Sequence, residues 1–202
     1  METAPQAPVS RWEGATSFFQ VPWGKLMMWL FLLSDTLTFA GLVAGYGFLR
    51  AASETWPAQG EIFNLGLVGF MTFVLICSSA TMAAAVGAAR RGDPLKAGRL
   101  LGLTVAGGLL FLGMQGYEWT HFILEGARLG TNPWGVPLFS TTFFVITGFH
   151  GFHVLAGVVY LTTVTYRTLQ GRFGADGVES AGLYWHFVDL VWVFIFTFLY
   201  LV

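Results

Sequence analysis

The chain is short of charge. Only 10% of its 202 residues are Asp, Glu, Lys or Arg, while 55% are apolar; a soluble domain carries about 25% charged residues. That shortage excludes an ordinary water-soluble globule. Ten basic residues against eleven acidic ones leave a net charge of -1, so no cationic excess exists to neutralise a phosphate backbone, and nucleic acid is excluded as a main partner. A lone cysteine, Cys77, excludes an internal disulfide; lying in an apolar run, it is expected to be a buried, inert thiol. The first residues lack the basic start and short apolar core of a secretory signal, so residues 1–22 read as a retained polar tail. Phe (20), Trp (8) and Gly (26) are abundant instead, which suits helices packed in a bilayer and the aromatic belts at its edges.

Charges mark out the spans by their absence. Residues 26–49 hold only Asp35, residues 62–89, 100–117 and 130–166 hold none, and residues 180–202 hold only Asp189. Each stretch approaches or exceeds the roughly 20 residues that cross about 30 Å of hydrocarbon. The expected fold is therefore all-α, an integral membrane bundle of five helices in residues 23–202, with spans near 25–50, 62–90, 97–123, 138–167 and 180–202. Turn-forming residues separate them: Gly92, Asp93 and Pro94; Gly130, Asn132, Pro133, Gly135 and Pro137; Gly171, Gly174 and Gly177. Such short loops leave no room for a domain outside the membrane.

Lysine and arginine set the orientation. The tail and the second and fourth loops hold Arg11, Lys25, Arg90, Arg91, Lys96, Arg99, Arg167 and Arg172, whereas the other side has only Arg50 and Arg128. By the positive-inside rule the N-terminus and its tail are cytoplasmic and the C-terminus is outside.

Ionisable residues at membrane depth are costly and usually partnered, so function is sought there. Counted along the helices, Asp35 lies roughly 15 Å from the cytoplasmic edge, His186 and Asp189 roughly 10 to 15 Å, and His150 and His153 roughly 20 to 25 Å. His150 and His153 share a helix face, as do His186 and Asp189; with Asp35 they are expected to meet in one buried polar cluster. Glu118 and His121, roughly 30 Å along the third helix, are expected at the outer interface and wetted. The cluster admits three readings. It could clamp helices together, each contact contributing about 0.6 to 2 kcal/mol; it could store or relay protons, because histidine titrates near neutrality; or it could hold a metal or haem. The last is disfavoured, because no further Cys or carboxylate joins the histidine pair and imidazoles one turn apart on one helix cannot straddle a porphyrin.

Weaker signals have packing readings. Gly41 with Gly45, and Gly98 with Gly102, permit close helix approach. Phe143, Phe144, Phe149 and Phe152 read as packing or lipid-facing surface rather than an access route. Trp12, Trp23, Trp56, Trp119, Trp134, Tyr184 and Trp185 fall near span ends and read as interfacial belts.

Longer motifs carry a resemblance. Residues 148–154 (GFHGFHV) and 184–192 (YWHFVDLVW), with Phe31, Leu32, Leu33, Ser34 and Asp35 in the first span, Tyr117 and Glu118 in the third, and residues 140–144 (STTFF) opening the fourth, resemble subunit III of the haem-copper respiratory oxidases. The likeness runs in register from about Lys25 to the C-terminus. The long form of that family has seven helices and a Glu where Asp35 stands; this chain lacks the first two helices and so resembles the short bacterial form, found with cytochrome c or quinol as donor. The resemblance implies a cofactor-free accessory subunit of an aerobic terminal oxidase in the bacterial inner membrane. Haem and copper would sit in partner subunits, chiefly subunit I, which reduces oxygen to water and translocates protons. This chain would stabilise subunit I, support proton uptake, bind phospholipid and possess no catalytic or metal-ligating residue of its own. Asp35, His150, His153, His186 and Asp189 would form a buried polar network, and Lys25, Arg167 and Arg172 would meet lipid headgroups. Other oxidase subunits and a respiratory supercomplex would be further partners. Two rivals are an independent proton or solute carrier using the Asp35 and histidine cluster, and a membrane cytochrome.

Overall fold

The five charge-poor stretches become five long helices. In a computed structural model, which describes residues 23–202, α1 spans Trp23–Ala52, the short α2 Gln59–Ile62, α3 Leu65–Arg90, α4 Pro94–Leu124, α5 Pro137–Leu169 and α6 Ala175–Ile195; a π-helical turn, Phe196–Leu201, prolongs α6. Each of the five is long and apolar enough to cross a membrane. The polar tail, with Arg11 and Trp12, lies outside the described residues.

Local chemistry fixes the ends. The Asn64 side chain accepts from the Leu67 N–H at 3.1 Å and so caps α3. The second span therefore opens at Leu65, later than expected, because Phe63 is extended and separates it from α2. Asp93 caps α4 through the Lys96 N–H at 2.9 Å, with Pro94 in the first turn, and this starts the third span three residues early. Gly92 turns the chain out of α3 with a φ of +74°, a left-handed conformation that glycine adopts without strain.

Helices α3, α4, α5 and α6 form a closed ring in which α3 touches α4 and α6, and α5 touches the same two; α1 lies outside, against α5 and α6. Its buried residues Leu32, Phe39 and Tyr46 recur every seven positions as one narrow stripe. Lipid offers helices no hydrophobic drive to associate, so close approach and interhelical hydrogen bonds must hold them. Trp185 does both. It is fully buried, its indole N–H donates to Ser78 Oγ at 3.0 Å, and it fills space left by Gly108 and Gly157. A Cβ at Gly108 would stand 2.6 Å from the indole, and one at Gly157 3.0 Å.

Several sequence expectations are corrected. Tyr184 and Trp185 belong to the core rather than to an interfacial belt, since one turn of α6 places them between α5 and α3. Trp56, Trp119 and Trp134 pack on Phe139, Phe144 and Phe122, while Trp23 is exposed. Cys77 is exposed on the outer face of α3, not buried. Gly41, Gly45 and Gly102 face open space, and of those four glycines only Gly98 meets a neighbour, Leu169. The phenylalanine row divides: Phe143 and Phe144 are buried, Phe149 packs on Phe39 at 4.9 Å, and Phe152 is exposed.

Candidate functional site

Asp35 on α1 faces His153 on α5, with Oδ2 3.1 Å from Nε2. The imidazole is held from behind: its Nδ1 lies 2.8 Å from the Phe149 carbonyl oxygen. A carbonyl only accepts, so Nδ1 carries a hydrogen and Nε2 is the atom offered to the carboxylate. The two atoms are within ion-pair distance of one another. The approach is that of an ion pair rather than an aligned hydrogen bond, and among the described residues Oδ2 has no hydrogen-bond partner. The side chains are 15% and 9% exposed, just beneath the surface of the chain. The Tyr184 hydroxyl donates to the His153 carbonyl at 3.0 Å, and Phe39 covers the imidazole at 5.2 Å.

The expected cluster of five does not close into one bonded network. His150 is fully buried among Trp192 at 5.1 Å, Phe111 at 5.7 Å and Phe39 at 6.3 Å, and among the described residues neither of its ring nitrogens has a hydrogen-bond partner. His186 turns to α3 instead, with Nδ1 2.6 Å from Ser79 Oγ; Asp189 follows one turn later, its Oδ1 buried and, among the described residues, without a hydrogen-bond partner. The ring explains the division. Helices α3 and α5 are diagonal, so an α6 side chain that reaches α3 points away from an α5 side chain that reaches α1. Phe39 and Phe187, 6.3 Å apart, stand between the two polar faces.

Glu118 is also corrected: rather than wetted, it is 5% exposed and accepts the Tyr200 hydroxyl at 3.0 Å. The π-helical turn carries Tyr200 inward against Phe63, whose ring centre is 4.4 Å away. His121, by contrast, is exposed beside Glu125. Other contacts were not anticipated. Gln115 donates to the Thr147 carbonyl at 2.7 Å and Trp119 to Thr147 Oγ1 at 3.1 Å, stitching α4 to α5. At the basic edge Glu179 accepts from Lys25 and, at 2.8 Å, from Arg90, tying the start of α1 and the end of α3 to α6. Lys25, expected at a lipid headgroup, is thus engaged within the chain, whereas Arg167 and Arg172 are exposed. An acid, Glu179, near the start of the last span and on the side that carries most of the cations, was the available signal.

Among the described residues no three His, Cys, Asp or Glu side chains converge where a metal ion could sit. The arrangement can hold a proton and lock helices.

Comparison with known proteins gives these features a context. The family model described as cytochrome c oxidase subunit III matches residues 10–202. Cytochrome c oxidase subunit 3 of Synechocystis is 38% identical over 177 residues, covering 85% of this chain and 72% of that protein. The same-named protein of Bacillus sp. PS3 is 35% identical over 205 residues, covering 99% and 93%, and that of Bacillus subtilis is 34% identical over the same shares. The chain therefore belongs to the cytochrome c oxidase subunit III family: it is a multi-pass protein of the bacterial inner membrane and an accessory part of a haem-copper oxidase complex.

Proposed function

We propose that this subunit braces subunit I of its oxidase and keeps a proton within the bilayer for the neighbour that translocates protons. The Asp35–His153 pair carries the reading. It sets a carboxylate 3.1 Å from an imidazole nitrogen whose ring is held from behind by a carbonyl, it lies just beneath the surface of the chain, and it joins the peripheral helix α1 to the ring. A buried acid and base sharing one proton is suited to taking up and releasing it, because either partner can hold the charge. Oxygen chemistry belongs to haem and copper in partner subunits, with cytochrome c or quinol as donor.

The basic edge supports an N-terminus in the cytoplasm. Lys25, Arg90, Arg91, Lys96, Arg99, Arg167 and Arg172 fall at the helix ends on one side, against Arg50 and Arg128 on the other. Exposed Arg167 and Arg172 are assigned to phospholipid headgroups of that leaflet.

Removing this subunit from the purified oxidase tests the reading. The remainder should keep its haem spectrum and reduce oxygen, but sustain fewer turnovers before inactivation, and restoring the subunit should restore them. Proton uptake by this chain alone in liposomes would instead support an independent carrier.

A further inference from the structure

On the edge opposite the basic one, α4 ends and α5 begins around an apolar pocket of about 310 Å³, lined by Trp119, Ile123, Ala127, Arg128, Leu129 and Phe144. We propose that this pocket binds one phospholipid of that leaflet, its phosphate on the Arg128 guanidinium and an acyl chain against Trp119, Ile123 and Phe144.

The chemistry of the lining selects the occupant. Trp119 spends its indole N–H on Thr147 Oγ1 at 3.1 Å, so its ring presents only apolar surface to the pocket. Phe144, edge-to-face with it at 5.1 Å, fixes that wall. Arg128 is the one charged group in the lining; it is exposed and, among the described residues, makes no salt bridge. The acid nearest in sequence, Glu125, is engaged by His121 at 3.4 Å. An occupant must therefore pair one anionic group with a long apolar body, at a level where helices leave the hydrocarbon, and a phospholipid has that form.

The loop is also built in advance. The Arg128 N–H donates to the Thr131 carbonyl at 2.7 Å, the Thr131–Arg128 pair forms an isolated antiparallel bridge, and the Thr141 hydroxyl donates to the Leu129 carbonyl. These bonds fix the backbone that carries the guanidinium, so little ordering is left for binding to impose. The site faces the leaflet away from Arg167 and Arg172 and does not depend on the lipid assignment made there.

Native mass spectrometry of the whole oxidase, purified in mild detergent with its own lipids, tests the proposal. Arg128→Ala and the pocket-filling Ile123→Trp should each lose one phospholipid per copy of this subunit. Arg128→Lys should retain it, since an ammonium also meets a phosphate. Lipid lost from Arg167→Ala should be additional, so the two sites are counted separately. Unchanged lipid stoichiometry in Arg128→Ala overturns the proposal. So does loss of a partner polypeptide in place of lipid, which would show the pocket to be a helix-docking groove.

Discussion

Asp35 and His153 approach to 3.1 Å across the seam between the peripheral helix α1 and helix α5 of the ring. Beyond Leu32, Phe39 and Tyr46, α1 buries little, so this contact helps to set where the helix docks. If it is a genuine coupling, mutating both partners should cost less than the two single changes added together. A double-mutant cycle of Asp35→Ala and His153→Gln, read by denaturant unfolding of the assembled subunit in micelles, should give a coupling of about 0.6 to 2 kcal/mol. Strict additivity would show that the two side chains are neighbours without being partners.

The Trp185 socket makes a steric prediction. A side chain added at Gly108 or Gly157 must displace the indole or its helix, and overpacking of this kind costs about 1 to 3 kcal/mol. Gly108→Leu and Gly157→Leu should lower the thermal midpoint, whereas Gly41→Leu, which faces open space, should leave it within error. Equal tolerance at all three positions would count against the ring packing.

Tyr200 hydrogen-bonds to Glu118 in a buried setting. Tyr200→Phe keeps the ring and removes the hydroxyl, leaving the carboxyl short of a partner at a cost of about 1 to 3 kcal/mol. Tyr117→Phe, at an exposed position, is the control and should be silent in the same unfolding assay.

Glu179 gathers Lys25 and Arg90 at the basic edge. Glu179→Gln should release the first turn of α1, seen as faster amide exchange at residues 25–30, and high salt should reproduce part of the effect in the unmutated chain because exposed ion pairs are screened. Unchanged exchange at residues 25–30 would show that another contact holds the first turn of α1.

Much of the fold was legible because charge is so scarce. Five uncharged or nearly uncharged runs can only be spans, and Asp93–Pro94 announces a helix start. Side-chain direction was less legible. Spacing of three correctly puts His186 and Asp189 on one face of α6, but nothing in the spacing says that this face meets Ser79 on α3 while His153 turns to Asp35 on α1. That depends on the ring order of the helices, a tertiary fact. Glu118 misled for a related reason: its distance along α4 suggested water, yet the π-helical turn beyond Ile195, which no motif foretells, brings Tyr200 over it. Trp185 and Tyr184 likewise sit near a span end by counting and in the core by packing.

The most direct test of the account is the behaviour of Asp35→Ala in the assembled oxidase, measured as proton uptake during turnover and as the number of turnovers completed before inactivation. With the haem spectrum and initial oxygen chemistry intact, slower proton uptake or fewer completed turnovers is the predicted result. Both quantities equal to those of the unmutated complex would contradict the claim that the proton shared by Asp35 and His153 serves the neighbouring subunit.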